Sequence, residues 1–183
     1  MKKFLIFCFL ISSANVYAQR VIRSEQVTDY SIYVMGDKFE GVIFDAKYSP
    51  KGAEGYIKDK GRFTPSIKEI ETAEKLLIPG VKIFSQKRRD DGRANFVQRN
   101  FKKYLRQYIG YINEKNEKVI FITALWKKDE VSEEEIKQTI KSYPYHSWKE
   151  EYKWVADGGN YYWEAEINLN TNLLSSFGTH GVA

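Results

Sequence analysis

Two long apolar arms, residues 104–112 and 118–126, flank the polar stretch Asn113-Glu-Lys-Asn-Glu117, and this pairing constrains the fold more than any other feature. Both arms are rich in aromatic and β-branched side chains, which favour a pleated surface, so they predict a long β-hairpin. An earlier hairpin is predicted from residues 30–35 and 42–44, joined through Gly36 and Gly41. Near the end of the chain Tyr161, Trp163, Ala165, Ile167 and Leu169 alternate with Tyr162, Glu164, Glu166 and Asn168. Strict alternation predicts a strand with one buried and one wet face. Residues 151–155 are read as the strand before it, across a tight Asp157-Gly158-Gly159 turn whose glycines supply positive φ. Asn170-Thr-Asn172 turns the chain into a last strand over residues 173–177.

Helical signals interrupt the strands. Thr64-Pro65 opens a helix, Ser66 and Glu69 have capping-box spacing, and Ile67, Ile70, Ala73, Glu74 and Leu77 progress around one face. Pro79-Gly80 is expected to stop it. A short helix is predicted within residues 95–103, and a second capping box at Ser132 starts another that ends before Pro144. Residues 45–62 and 87–94 read as loops. The order predicts an α+β fold, a largely antiparallel sheet with helices packed on one face.

The N-terminus carries Lys2-Lys3, an apolar run over residues 4–11, and Val16-Tyr-Ala18 before Gln19. This is the pattern of a signal peptide cut after Ala18, too short to span a bilayer as a mature helix. The expected organisation is a signal peptide over residues 1–18 and one domain over 19–183, exported to the periplasm or the exterior with no transmembrane segment after cleavage. Cys8, the only cysteine, lies inside the signal. The mature chain would then have neither disulfide nor thiol nucleophile, and core packing alone must hold it; its 15% aromatic content supplies large buried areas.

The net charge of +5 becomes +3 without Lys2 and Lys3, and it is unevenly spread. Residues 82–106 hold nine basic side chains against Asp90 and Asp91, so this stripe is +7 and the rest of the mature chain −4. Within it Arg88, Arg89 and Arg93 are candidate contacts for an anionic envelope component. The expected partners are a protein, a peptide or such a component, and not nucleic acid.

Catalytic patterns are scarce. The mature chain has two histidines, His146 and His180, with no Gly-x-Ser-x-Gly turn and no helical His-x-x-x-His, so neither a serine hydrolase nor a zinc site is expected. His180, close to the C-terminus, reads as an exposed residue. No Gly-rich phosphate loop is present, and no cofactor or metal is expected. Glu164 and Glu166 lie about 7 Å apart along one strand and read as a solvent face. Aromatic residues near the end, including Trp148, Trp154, Tyr161 and Tyr162, offer a peptide- or sugar-stacking surface. Trp148 and Tyr162 are the candidate binding residues among them; Trp163 is expected in the core.

Three stretches carry a resemblance: Thr64-Pro-Ser66 with Glu69-Ile-Glu-Thr-Ala-Glu74, then Arg106-Gln-Tyr-Ile-Gly-Tyr-Ile112 with Ile120-Phe-Ile122, and Val155-Ala-Asp-Gly-Gly-Asn-Tyr-Tyr-Trp163. Over about half the mature chain they resemble a group of uncharacterised secreted proteins typical of Bacteroidetes bacteria. The resemblance implies export and the fold, and supplies no catalytic residue. The closing Tyr162-x-x-x-Glu-Ile-Asn-Leu-Asn-Thr171 is similar to strands of PepSY-like and cystatin-like domains, small secreted modules associated with binding or peptidase inhibition. The Gln-x-Val-x-Gly loop of cystatins is missing. The expectation is therefore an exported, non-enzymatic binding module. The alternative is an envelope hydrolase or glycan-processing enzyme using carboxylates such as Asp157, Glu164 or Glu166.

Overall fold

The computed structural model describes residues 19–52, 57, 61–87, 92–127 and 147–181. The expected signal peptide, the helix expected from Ser132, His146, Arg88 and Arg89 lie outside the described residues.

Among the described residues eight strands form one sheet: β1 (Val21–Thr28), β2 (Ser31–Gly36), β3 (Glu40–Phe44), β4 (Gly61–Phe63), β5 (Tyr104–Ile112), β6 (Lys118–Trp126), β7 (Trp163–Asn168) and β8 (Leu173–Thr179). Their order is β1-β2-β3-β5-β6-β7-β8, with β4 pairing beside the far end of β5. Every pairing is antiparallel except β3 with β5, which is parallel because the chain crosses over through helices between them. The predicted β5–β6 hairpin is present, with Tyr104 opposite Trp126 and Ile112 opposite Lys118. So is the β2–β3 hairpin. The fold is α+β, a mixed and mostly antiparallel sheet with helices packed against it.

Among the described residues two helices cover one face, α1 (Ile67–Lys87) and α2 (Arg93–Arg99), followed by a 3₁₀ turn over Phe101–Lys103. Helix α1 starts on its predicted box: the Ser66 backbone N–H donates to Glu69 Oε2 at 2.8 Å and the Glu69 N–H donates to Ser66 Oγ at 3.3 Å. It does not stop at Pro79-Gly80, as expected, but continues through both to Lys87. The reason is tertiary. Helix α1 packs on β8 at Gly80, where a Cβ would lie 2.5 Å from the Leu174 Cβ, so the glycine permits the close approach that holds the helix together past the proline.

Ile70, Ala73, Leu77 and Val81 of α1 are fully buried against Ile120, Ile122, Trp163 and Ile167. The opposite face is not simply wet. Tyr33, Val42, Phe44, Ile109, Phe121 and Leu125 form a second core beneath Ile57, Trp148 and Tyr152. Strands β5 and β6 are therefore buried on both faces, which is why both read as near-continuous apolar runs.

Two further expectations are corrected, and one strand is added. Residues 151–155 form no strand; they are an irregular cover over the second core. Part of residues 45–62 is strand β4, too short to show a pattern. Strand β1 carried no sequence signal, and its exposed side chains explain the omission: it pairs through its main chain at the edge of the sheet.

Candidate functional site

On the second face, the cover is clamped by a buried glutamine. Gln107 Nε2 donates to the carbonyls of Trp148 at 2.7 Å and Glu151 at 2.9 Å, while its Oε1 accepts from the Lys153 N–H at 2.8 Å. The Tyr152 N–H donates to the Tyr48 hydroxyl, and the Tyr152 hydroxyl lies 2.8 Å from Thr123 Oγ1. Together these bonds fix residues 147–153 over β5 and β6. The neighbouring residues 154–156 become one wall of a groove of about 430 Å³ over β7 and β8.

Register builds the floor of the groove. Glu166 sits opposite Phe121 on β6 and Ser176 on β8; Glu164 sits opposite Thr123 and Gly178. Trp163, Ala165 and Ile167 point the other way, into the helical core. At Gly178 a Cβ would meet nothing within 4 Å, so the floor is open there. Trp154, 49% exposed, stands at the rim with its Cβ against Gly52, where a side chain would collide.

His180 closes one end. Its side chain is 10% exposed, and its Nε2 lies 3.6 Å from Glu164 Oε1, beyond hydrogen-bond length but within ion-pair reach. Among the described residues neither atom makes a hydrogen bond, and the ion pair is the contact between them. The Glu164 carboxylate raises the His180 imidazole above its ordinary value, against burial, with the Val155 carbonyl and Asp157 adding to the rise. Glu166 is differently placed: its Oε1 accepts from the Tyr111 hydroxyl at 3.0 Å, and it also borders a neighbouring cavity of about 500 Å³ that contains Glu114 and Glu117.

The groove holds a serine, a histidine and carboxylates, yet they do not assemble a hydrolytic triad. Ser176 and His180 are four residues apart along nearly extended chain, about 13 Å by strand rise, which is too far for proton transfer between them. Among the described residues, no three His, Cys, Asp or Glu side chains are grouped as metal ligands, and no helix is long and apolar enough to cross a membrane.

The residues singled out from sequence are dispersed. Trp148 is 8% exposed, an edge-on neighbour of Tyr33 in the second core, so its ring packs rather than presents a surface. Tyr162 is half-buried against that same core, over Gly158, with its ring 6.4 Å from His180 behind the groove. Arg93 begins α2 on the helical side, away from the groove. The basic stripe loses Arg106, which is fully buried with its Nε 3.0 Å from Glu74 Oε1. Glu164 and Glu166 are half-buried in a groove and not on an open solvent face, and His180, read as exposed, is nearly enclosed. Gly178 and Ser176 gave no signal in the sequence, because only the cover from a distant segment turns that part of β8 into a floor. Gln107 did give one, a polar residue inside an apolar strand.

No family model matches the chain, and no curated protein or solved structure matches it.

Proposed function

We propose that this chain is an exported, non-enzymatic binding module, working in the periplasm or outside the cell, that holds its ligand in the groove over β7 and β8. One observation carries the reading: the Glu164–His180 ion pair lines the groove, and among the described residues neither of its facing atoms makes a hydrogen bond, so a ligand's polar group would complete them. An exposed tryptophan at the rim and an open glycine floor are the features of a surface that accepts a flat or extended ligand. Export rests on the basic start, the apolar run and Ala18.

The second reading is a carboxylate hydrolase, favoured by the presence of Glu164 and Glu166 on one groove floor. One panel separates the two. The protein is screened against peptide and glycan libraries for both retention and turnover, alongside Gly178→Phe, which fills the floor, and Glu164→Gln. Retention without turnover, lost in Gly178→Phe, is the expected result. Turnover abolished in Glu164→Gln would replace the binding reading with the hydrolytic one.

A further inference from the structure

The Glu164–His180 pair defines what the ligand must bring. Glu164 Oε1 can only accept a hydrogen bond when ionised, and among the described residues it receives none. A carboxylate oxygen so buried, with a histidine nitrogen 3.6 Å away as its charged neighbour, calls for a group that donates to it when that histidine is neutral. Glu166 and Asp157 give the surroundings the same sign: Glu166 lies on the floor, and Asp157 Oδ1 lies 3.6 Å from the Cβ position of Gly181 at the groove end. The occupant is thus a cationic group with several N–H donors.

The geometry of β8 says how such a group arrives. Strand β8 ends the sheet, with no strand beyond it among the described residues, so its outer edge is a template for one more strand. A residue of an added strand opposite Gly178 would lie about 10 Å, two strand spacings, from Glu164 on the same face. Any side chain at position 178 would bar the way. Gly178 has none, and the space above it is open.

We propose that the groove binds an extended basic peptide, whose backbone adds to the edge of β8 and whose lysine or arginine side chain passes over Gly178 to the Glu164–His180 pair. This rests on the groove being the ligand site. Trp154 at the rim offers a π face to the next cationic side chain. Protonated His180 competes with the ligand, because it then donates to Glu164 itself. The groups facing His180 are Glu164 from β7, Asp157 and the Val155 carbonyl from the cover, and the Tyr162 ring.

The test measures fluorescence anisotropy of labelled peptides with alternating lysine and threonine, lysine and proline, or glutamate and threonine. The proteins are wild type, Glu164→Gln, Gly178→Phe and Ser176→Lys; the last places a cation on an exposed floor position where folding is not at stake. The lysine–threonine peptide should bind, about tenfold more weakly in Gly178→Phe and Ser176→Lys and several-fold more weakly in Glu164→Gln. Its binding should tighten from about pH 6 to about pH 8.5 as His180 loses its proton. The lysine–proline peptide, lacking half the backbone donors, should bind poorly. Equal affinity for the glutamate and lysine peptides, or undiminished binding by Glu164→Gln, would overturn the inference. If the glutamate peptide bound and Gly178→Phe abolished it, the groove would stand as the site and the cationic class would fall. Equal binding of the lysine peptide by wild type, Gly178→Phe and Ser176→Lys would remove both, and no binding of that peptide to wild type would overturn this inference alone.

Discussion

Glu74 of α1 and Arg106 of β5 meet in the helical core, Oε1 to Nε at 3.0 Å, with both side chains fully buried. Arg106 Nη1 donates to the carbonyl of Tyr104 at 3.1 Å and Nη2 to that of Phe101 at 3.0 Å, and the guanidinium lies over the Phe101 ring. The Tyr108 hydroxyl donates to the same Glu74 oxygen at 2.8 Å. Burial nonetheless raises the Glu74 carboxyl above its ordinary value, with Arg106 and Tyr108 opposing that rise. The pair fixes the rotation of α1 over the sheet more than it adds net stability, because desolvating both charges costs about what their attraction returns.

Removing one partner is therefore predicted to be worse than removing both. Arg106→Met should cost about 3–5 kcal/mol, and the Glu74→Leu/Arg106→Met double variant should recover most of it. Urea midpoints measure this; a double variant as unstable as the single one would show that the pair is a net source of stability.

Gly80 and Gly178 are predicted to respond to alanine in opposite ways. Glycine to alanine inside a helix ordinarily stabilises by about 1 kcal/mol, but at Gly80 the new methyl group would collide with Leu174. Gly80→Ala should instead lower stability by about 1–3 kcal/mol. Gly178→Ala meets no atom and should lose nothing. A stabilised Gly80→Ala would mean that α1 and β8 are not in close contact.

The start of α1 gives an acid-sensitive contribution. Burial pushes the Glu69 carboxyl up, but the Ser66 N–H, Lys118 at 2.9 Å and the Ser66 hydroxyl outweigh it, and the net shift is downward. A lowered folded value means stability that is present above the ordinary value of 4.5 and is lost as pH falls through the lowered one. Ser66→Ala should cost about 1 kcal/mol at neutral pH. The deficit should shrink in acid, and a deficit that stays constant to low pH would rule out the reciprocal box.

These contrasts mark what the residues alone could reveal. The β5–β6 hairpin was legible to the residue because both arms and the turn between them are local signals. The Ser66 cap was legible for the same reason. The continuation of α1 past Pro79 was not, since the contact that sustains it comes from Leu174 in the last strand. Tyr161, placed by alternation with Trp163, is 45% exposed because it belongs to a 3₁₀ turn before β7 begins. Glu74 on an otherwise apolar helix face was a readable sign of a buried partner, although nothing local named Arg106. Alternation placed Glu164 and Glu166 together on one side of β7; the wall from residues 154–156 and the approach of His180 are long-range and left no pattern.

The His180–Glu164 pair should act on stability in the opposite pH range. Its raised folded value means a contribution fully present below the ordinary 6.5 and lost as pH rises through the raised value. His180→Gln should thus be more destabilising at about pH 6 than at about pH 9. Chemical denaturation at the two values reads it; equal deficits would show that His180 does not gain its proton beside Glu164.

The central claim is that the ligand lies over Gly178, and nuclear magnetic resonance tests it most directly. Nitrogen-15-labelled protein is titrated with the alternating lysine–threonine peptide and followed residue by residue. The account predicts shifts at the amides of Ser176, Gly178 and His180 and at the Trp154 indole, with Lys82, Lys102 and Lys103 on the helical side unmoved. Shifts confined to residues 93–103, or a response that spares Gly178, would contradict it.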